Sequence, residues 1–486
     1  MTTRVSKLLQ QYGPMLSGDL ARIFENTYNV SNETARQALS RAKDPVCKIQ
    51  TLSFEKNQKF FYLSNQYKSQ RYSEELLNAI ETSSKVNWSY ICAFRSQNGF
   101  VSKDLLPALV SSPIKRVKGH KMHQRVLDDL LKCQIIEEYD EDYWKLCDWI
   151  PVQSKNFPRA VGLETVKKQL VRDFARWARN INLIGYNSAK ALENFAEFAQ
   201  FQWALTCPSY TQPLFDIKKG KPGFVVADVF YGKVADVQDI QFFLQKLAII
   251  RNYKKISNFL PIFLAETVSN EALMQLKENK VTIALIKNIF DKRYAELLAE
   301  IVNLFTNSSA IILKNPGEIE KLFREIAEAE GRYNNLVGDM FELLAGYYYQ
   351  KVGCSHLEIK RNVQAPGAEN SNEIDVYVER DGRVIVVECK AMRSAIDEVF
   401  VKKWLSKNIR QIREWFFEKY GSDKEMIFQL WSLGGFTDAA RELLTNAAEK
   451  TKKYKIEFFE REQLIGMARE HRVQVMVDIL SKSREY

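Results

Sequence analysis

Three side chains that could support hydrolytic chemistry, Asp375, Glu388 and Lys390, lie within the stretch NEIDVYVERDGRVIVVECK. Apolar and polar residues alternate on both sides of Asp381-Gly382, and an Asp-Gly pair favours the two-residue turn of a β-hairpin. With that turn, Asp375 faces Glu388 across the two strands, about 5 Å apart at Cβ. Lys390 points to the same face as Glu388, because side chains alternate along a strand. The spacing therefore predicts two carboxylates and an ammonium group on one face of a sheet.

Two neighbouring carboxylates among apolar residues repel each other, and their burial is costly unless a counter-charge is present. A divalent cation would supply that charge. Mg²⁺ prefers hard oxygen ligands and usually binds one or two carboxylates together with water and substrate phosphates. The ammonium of Lys390 could then orient or deprotonate an attacking water, or stabilise charge on a phosphate. The pattern indicates metal-dependent hydrolysis of a phosphate ester.

The combination of Asp375 with the tripeptide Glu388-Cys389-Lys390 resembles the signature of the PD-(D/E)xK nuclease superfamily, which has the restriction-endonuclease-like fold. Ile374 stands where the superfamily usually has a proline. The resemblance implies that Asp375 and Glu388 hold Mg²⁺, for which Mn²⁺ could substitute. It also implies that the main-chain carbonyl of Cys389 is a further ligand and that Lys390 positions the nucleophilic water.

A predicted helix upstream of the hairpin adds a third acid. The stretch GDMFELLAG, which starts at Gly338, carries apolar residues at helical spacing and includes Glu342. In Mrr-like and Holliday-resolvase-like members of the superfamily, a first helix of the form GxxxE supplies a third acidic group, and Glu342 fits that place. The resemblance implies that Glu342 assists through a second metal ion or a bound water. The alternative is an ordinary hairpin with a solvated acid–base face, since Glu-x-Lys is a common sequence.

The composition is typical of a soluble globular protein, and 486 residues are enough for about three domains. A net charge of +10 suits a polyanionic partner such as DNA. Seven scattered cysteines without a CxxC pair and only four histidines give no zinc-site spacing. The sequence shows no apolar signal core and no membrane-spanning run. We therefore expect a cytoplasmic protein without membrane contact.

Residues 1–66 are predicted to form a winged helix, with three helices followed by two strands. The third helix exposes Arg36 and Arg41, and the strands are predicted at Cys47–Phe54 and Lys59–Leu63. A domain of this kind presents its third helix to the major groove of DNA. The alternative is a winged helix that is used only for protein contacts.

Residues 67–150 are predicted to form a second winged-helix-like domain, whose helices include Ser102–Leu109 and His123–Lys132. Its loop IKRVKGHK is basic and has no acidic residue, so Lys115, Arg116 and Lys118 could contact phosphates. The alternative is a loop that is merely solvated.

Residues 160–306 are predicted to form a degenerate copy of the nuclease domain. Aligning FVVADVF with VIVVECK places Asp228 at the position of the catalytic glutamate and Phe230 at that of the lysine. Asp216 then corresponds to the partner acid, and Ala189–Trp203 is predicted to be a helix. Internal repetition of this kind changes the fold assignment. The alternative is a chance alignment, because any region that alternates strands and helices gives a similar match.

Together these features predict an α/β multidomain protein: tandem winged helices, a degenerate restriction-endonuclease-like domain and a catalytic one at residues 318–486. The predicted function is that of a metal-dependent endonuclease acting on DNA. The alternatives are a DNA-binding regulator or scaffold with a non-catalytic nuclease fold, and a nuclease acting on RNA or structured DNA. A homodimer and a motor partner stay open, since a double-strand cut often needs two sites and the sequence has no ATPase motif. A role in restriction or defence against foreign DNA rests on fold-level analogy.

Overall fold

The computed structural model describes residues 2–186, 188–253, 255–290, 292–308, 311, 317, 320–322, 340–368, 371–392, 394–421 and 424–482. The chain divides into two compact units, each built from helices and mixed β-sheet, so the protein is an α/β chain. The first unit consists of Met1–Ala160 and Leu170–Ile289, and the second of Val161–Gln169 and Phe290–Tyr486.

Within the described residues the α-helices are α1 (Thr2–Tyr12), α2 (Ser17–Tyr28), α3 (Asn32–Arg41), α4 (Gln70–Ser83), α5 (Lys85–Ser96), α6 (His123–Lys132), α7 (Phe157–Asn180), α8 (Val237–Arg251), α9 (Asn270–Glu278), α10 (Ile286–Ile289), α11 (Lys292–Thr306), α12 (Phe341–Val352), α13 (Glu398–Lys403), α14 (Ile409–Tyr420), α15 (Asp438–Lys450), α16 (Arg461–Glu470) and α17 (Gln474–Lys482).

The β-strands are β1 (Met15–Leu16), β2 (Val46–Ile49), β3 (Phe60–Leu63), β4 (Phe100–Ser102), β5 (Ile136–Glu138), β6 (Tyr143–Leu146), β7 (Lys190–Ala191), β8 (Glu197–Phe198), β9 (Phe201–Gln202), β10 (Leu205–Ser209), β11 (Gly223–Phe230), β12 (Phe259–Ala265), β13 (Thr282–Leu285), β14 (His356–Val363), β15 (Asn372–Arg380), β16 (Arg383–Lys390), β17 (Glu425–Ser432) and β18 (Lys455–Glu460).

The N-terminal part of the first unit contains helices α1 to α3 and a sheet with the strand order β1-β3-β2. The three helices and the two longer strands occur in the predicted order, and the short strand β1 is an addition. Leu8, Phe24 and Phe61 share one buried core, which joins the helices to the sheet. The side chain of Ser31 caps α3 by accepting a hydrogen bond from the amide of Thr34, at 3.3 Å.

The prediction of a helix at Ser102–Leu109 is wrong. The segment Phe100–Ser102 is strand β4, which pairs with β6, and Leu106–Ala108 forms only a short 3-10 turn. Pro107 accounts for the difference, because proline lacks a backbone N–H and its ring clashes with the preceding turn inside an α-helix. Helix α6, by contrast, has the predicted bounds His123–Lys132.

The two five-stranded sheets share one topology. Their strand orders are β7-β10-β11-β12-β13 in the first unit and β14-β15-β16-β17-β18 in the second. In each sheet the second strand is antiparallel to both the first and the third strand, and the last three strands run parallel to one another. Along the chain, helix α8 connects the third and fourth strands of the first sheet. Helices α13 and α14 make the corresponding connection in the second sheet. The repeated order of elements that the sequence suggested is therefore present in both units.

Two predictions for the first of these sheets are wrong. The segment Ala189–Trp203 is not a helix but contains β7, β8 and β9, with Ala199 and Gln200 in left-handed conformation. An L-residue in that conformation is incompatible with a right-handed helix. Asp216 lies outside the named strands, in an isolated bridge with Lys221, and the strand beside β11 is β10.

The sheet of the second unit is buried on both faces. Tyr377, Val386 and Phe428, from three adjacent strands, belong to one hydrophobic core together with Trp404, which lies between α13 and α14. Near-continuous apolar runs are typical of strands that are covered on both sides. Helices α13 and α14 are joined by a π-helical turn, Trp404–Asn408.

Candidate active site

The β15–β16 hairpin has the predicted turn and register. Asp381 and Gly382 have φ values of 51° and 74°, as a type I′ turn requires. The ladder runs from Arg380 opposite Arg383 up to Val376 opposite Val387, and the next pair in this register is Asp375 with Glu388. Continuing the register by this one pair would place the two acids opposite each other, as the prediction has it.

Asp375 and Glu388 are both buried, with 7% and 8% of their surface exposed. One oxygen of Asp375, Oδ2, accepts a hydrogen bond of 2.6 Å from the amide of Cys389. This bond fixes the carboxylate of β15 against the backbone of β16. The position of the Asp375 carboxylate is therefore set by the backbone of the neighbouring strand.

Lys390 lies beside Glu388, with Nζ 2.7 Å from Oε1 and 5.3 Å from the ring centre of Phe400. Burial and the charge of Asp375 raise the pKa of Glu388 to about 7, against the opposing effect of Lys390. Burial alone would lower the pKa of Lys390, but the carboxylates of Glu388 and Asp375 outweigh it and raise that pKa. The lysine is thus held as a cation, which suits charge stabilisation better than proton abstraction.

Glu342 lies in the first turn of α12, and its carboxylate is already engaged. Nζ of Lys360 is 2.7 Å from Oε2 of Glu342 and 3.6 Å from Oε1 of Glu373. Burial raises the pKa of Glu342, Lys360 opposes that effect, and the charge of Asp375 adds to it. The start of the GxxxE pattern, Gly338 and its neighbour at 339, lies outside the described residues.

Lys360 and Glu373 were not predicted as site residues. Glu373 carried a signal, since it alternates with Asp375 along β15 and so lies on the same face. Lys360 carried none, because its strand β14 was not predicted. The register of β14 and β15 places Lys360 opposite Asp375, at a point where the ladder is interrupted and the φ of Lys360 is 55°. A left-handed lysine is uncommon and costs conformational energy, as residues at functional sites often do.

The donor set fits one divalent cation better than two. Among the described residues, no three His, Cys, Asp or Glu side chains are grouped so that they could hold a metal ion. Asp375 and Glu388 remain as two buried carboxylates, and the charge of the first raises the pKa of the second. A cation would relieve that repulsion, and two carboxylates plus water are an ordinary Mg²⁺ ligand set. A second ion on Glu342 would have to displace the ammonium of Lys360.

The corresponding position of the first unit has a different constellation. The ladder of β10 and β11 ends with Leu205 opposite Ala227, so the next pair is Ala204 with Asp228. Asp228 is the third residue from the end of β11, as Glu388 is in β16. Its partner across the ladder is Ala204 and not Asp216, whose assignment is wrong because it lies off the sheet.

A buried lysine neutralises Asp228. Nζ of Lys246, from α8, is 2.9 Å from Oδ2 of Asp228, and these side chains are 0% and 1% exposed. The same ammonium donates to the carbonyl oxygens of Ala108 at 2.6 Å and Gln202 at 2.9 Å. Oδ1 of Asp228 accepts from the amide of Ala204 at 2.8 Å. With one acid, a resident ammonium and all three of its protons donated, this position offers no room for a cation.

The basic residues predicted to contact DNA all lie in the first unit. Arg36 and Arg41 are exposed on α3. Arg36 lines a cavity of about 530 Å³ whose other basic lining residues are Lys48, Lys56 and Lys59. In the second predicted domain, Lys115 forms an ion pair with Glu197 at 2.6 Å, while Arg116 and Lys118 line a separate cavity.

No protein-family model and no curated protein matches this sequence. Among solved structures, the chain is similar to one described as the crystal structure of a repair endonuclease from Pyrococcus abyssi. That similarity has 19% identity and a TM-score of 0.15, and covers 27% of this chain and 46% of that chain. The matched region thus spans less than half of that protein, and a TM-score this low supports no conclusion about fold or chemistry. Among the residues that the structure describes, no helix combines the length and apolar character needed to cross a bilayer.

Proposed function

We propose that the second unit is a metal-dependent nuclease of the PD-(D/E)xK type, which hydrolyses DNA phosphodiester bonds. One observation carries the proposal: two buried carboxylates, Asp375 and Glu388, lie just beyond the end of the hairpin ladder, with the ammonium of Lys390 2.7 Å from Glu388. Burying two neighbouring carboxylates costs folding free energy, and a bound divalent cation would offset that cost.

Asp375 and Glu388 would hold Mg²⁺ or Mn²⁺, with the main-chain carbonyl of Cys389 as a further ligand. A bound ion supplies Lewis acidity and lowers the pKa of a coordinated water. Lys390 donates hydrogen bonds to the attacking water or to a phosphate oxygen and stabilises the charge that develops there. Glu342 acts indirectly, through Lys360. The ammonium of Lys360 forms an ion pair with the Glu342 carboxylate, and the strand register places Lys360 opposite Asp375.

DNA contact is assigned to the first unit. The order of helices and strands in residues 2–66 supports a winged helix, in which α3 carries Arg36 and Arg41 towards the major groove. The shared sheet topology supports a degenerate nuclease-like domain around β11, whose Asp228–Lys246 pair leaves it without catalytic function. That domain serves as a scaffold for DNA binding.

A cleavage assay tests the nuclease. Supercoiled plasmid and linear duplex are incubated with Mg²⁺, Mn²⁺ or EDTA, and wild type is compared with Asp375→Asn and Lys390→Gln. Asp381→Asn is the matched control: it removes a carboxylate from the same hairpin, but at the exposed turn, where asparagine tolerates the left-handed conformation. We expect metal-dependent cutting that both site variants lose and the control keeps. Cutting that survives in both site variants would place the active site elsewhere.

A DNA-binding scaffold with a non-catalytic nuclease fold is the second candidate. It is favoured by the ion pairs that already occupy Glu342 and Glu388. Calorimetric titration with Mn²⁺ separates the two functions. If the protein is a nuclease, wild type binds Mn²⁺ and Asp375→Asn does not. If it is a scaffold, neither wild type nor Asp375→Asn binds Mn²⁺. If Mn²⁺ binds but DNA stays intact, a panel of RNA, junction and free-end substrates identifies the substrate class.

A further inference from the structure

A second basic cavity of about 530 Å³ lies in the first unit. It is formed by the loop after Pro113, the tip of the β8–β9 hairpin and the end of helix α8. Its lining residues are Arg116, Val117, Lys118, His120, Gln200, Ile249, Asn252, Tyr253 and Lys255. Three of these carry a permanent positive charge, and none is acidic.

The three cations of this cavity, Arg116, Lys118 and Lys255, are exposed and form no ion pair with any residue in the described part of the chain. Two lysines of the same loop behave differently. Lys115 pairs with Glu197 at 2.6 Å and Lys121 with Asp129 at 2.7 Å. The two lysines that do not line the cavity therefore have counter-ions, whereas the three cations that line it have none among the described residues.

Hydrogen bonds fix the walls of the cavity. The carbonyl oxygen of Gln200 accepts from the amide of Ile114 at 2.9 Å, which joins the hairpin tip to the basic loop. The side-chain oxygen of Gln200 accepts from the hydroxyl of Tyr253 at 3.0 Å, which joins the tip to the end of α8. The two hydrogen bonds of Gln200 therefore connect the three segments that form the cavity.

The field in the cavity is positive. The carboxyl end of α8 contributes a partial charge of about −0.5, which three full positive charges exceed. Positive charges that line one cavity repel one another, and a bound anion removes that repulsion. Salt screens such interactions only beyond about 10 Å at ordinary ionic strength. Arginine and lysine together are the usual donors to phosphate oxygens.

We propose that this cavity binds phosphate groups, and that in the working protein they belong to the backbone of a nucleic-acid strand; the second part rests on the proposed DNA-directed function. The ligand is recognised through Arg116, Lys118 and Lys255. A free nucleotide or polyphosphate offers the same chemistry, and the test separates the two sources.

The test measures binding of fluorescently labelled duplex and single-stranded DNA to the full chain by anisotropy, in EDTA and over a range of salt concentrations. The cavity variant is Lys118→Gln/Lys255→Gln. The control is Lys277→Gln/Lys287→Gln, which removes two exposed lysines of the same unit that do not line the cavity. We expect the slope of log affinity against log salt to fall by about 0.9 per lost phosphate contact in the cavity variant only.

A second arm titrates inorganic tripolyphosphate by calorimetry into the same three proteins. If the cavity variant loses tripolyphosphate binding while its DNA affinity equals that of the control, the cavity is a phosphate site for a free ligand. Equal losses in both double variants, or no binding of either ligand to wild type, overturn the proposal. Because binding is measured without divalent metal, a failure of the nuclease proposal would appear only in the cleavage assay and stays distinguishable.

Discussion

Replacing Lys246 by methionine tests the buried ion pair of the first unit. Lys246 and Asp228 are 0% and 1% exposed, so the substitution leaves a carboxylate in the core without its counter-charge. Breaking a buried pair by removing one partner costs about 3–5 kcal/mol. The carbonyl oxygens of Ala108 and Gln202 also lose a donor, at about 1–3 kcal/mol for each buried group left unpaired. We expect the free energy of unfolding of the first unit to fall by at least about 3 kcal/mol.

The measurement is urea unfolding of the full chain, with hydrogen exchange in Gly223–Phe230 to assign the loss to the first unit. Lys277→Met makes the same substitution on an exposed helix surface and should change stability by less than about 0.5 kcal/mol. The double variant Asp228→Asn/Lys246→Met should be more stable than Lys246→Met alone, because asparagine still accepts from the Ala204 amide and no charge remains. A loss below about 1 kcal/mol in Lys246→Met, or a double variant less stable than that single variant, would refute the reasoning.

Two further predictions concern Lys360 and His123. Lys360→Met removes the ammonium from Glu342, so we expect calorimetry to show an additional Mn²⁺ bound per chain compared with wild type; an unchanged stoichiometry would mean that Glu342 is no latent ligand. His123 is half-buried, with Nδ1 2.8 Å from the hydroxyl of Tyr90, and burial lowers its pKa from 6.5 to about 4. Its folded pKa lies below the unfolded one, so its contribution is present above pH 6.5 and is lost as the pH falls towards 4. Denaturant unfolding between pH 7 and 4 should therefore show a smaller loss of stability in His123→Gln than in wild type, and equal losses would contradict this account.

Local chemistry in the sequence determined the hairpin and much of the secondary structure. Asp381-Gly382 fixed the turn, and the turn fixed the register of the ladder from Arg380–Arg383 to Val376–Val387. Helix α6 has the predicted bounds. These features depend on residues that are close in the chain, where backbone preferences and side-chain alternation decide the outcome.

Where local signals conflicted or were weak, the sequence predicted the wrong element. Ser102–Leu109 has apolar spacing that suits a helix, but Pro107 and the pairing of β4 with β6 prevail. Ala189–Trp203 folds as short strands whose left-handed residues have no strong sequence signal. The residue opposite Asp228 could not be found without the strand β10, which was not predicted.

Only the tertiary structure decided which charges meet. Lys246 appeared in the sequence as one of three charged residues in a largely apolar helix, and Lys360 as an ordinary lysine in an unassigned segment. In the fold, Lys246 neutralises Asp228, and Lys360 lies on Glu342 and opposite Asp375. The physical reason is that an ion pair depends on distance and burial, which are set by elements far apart in the chain, whereas a turn or a helix is set by its own residues.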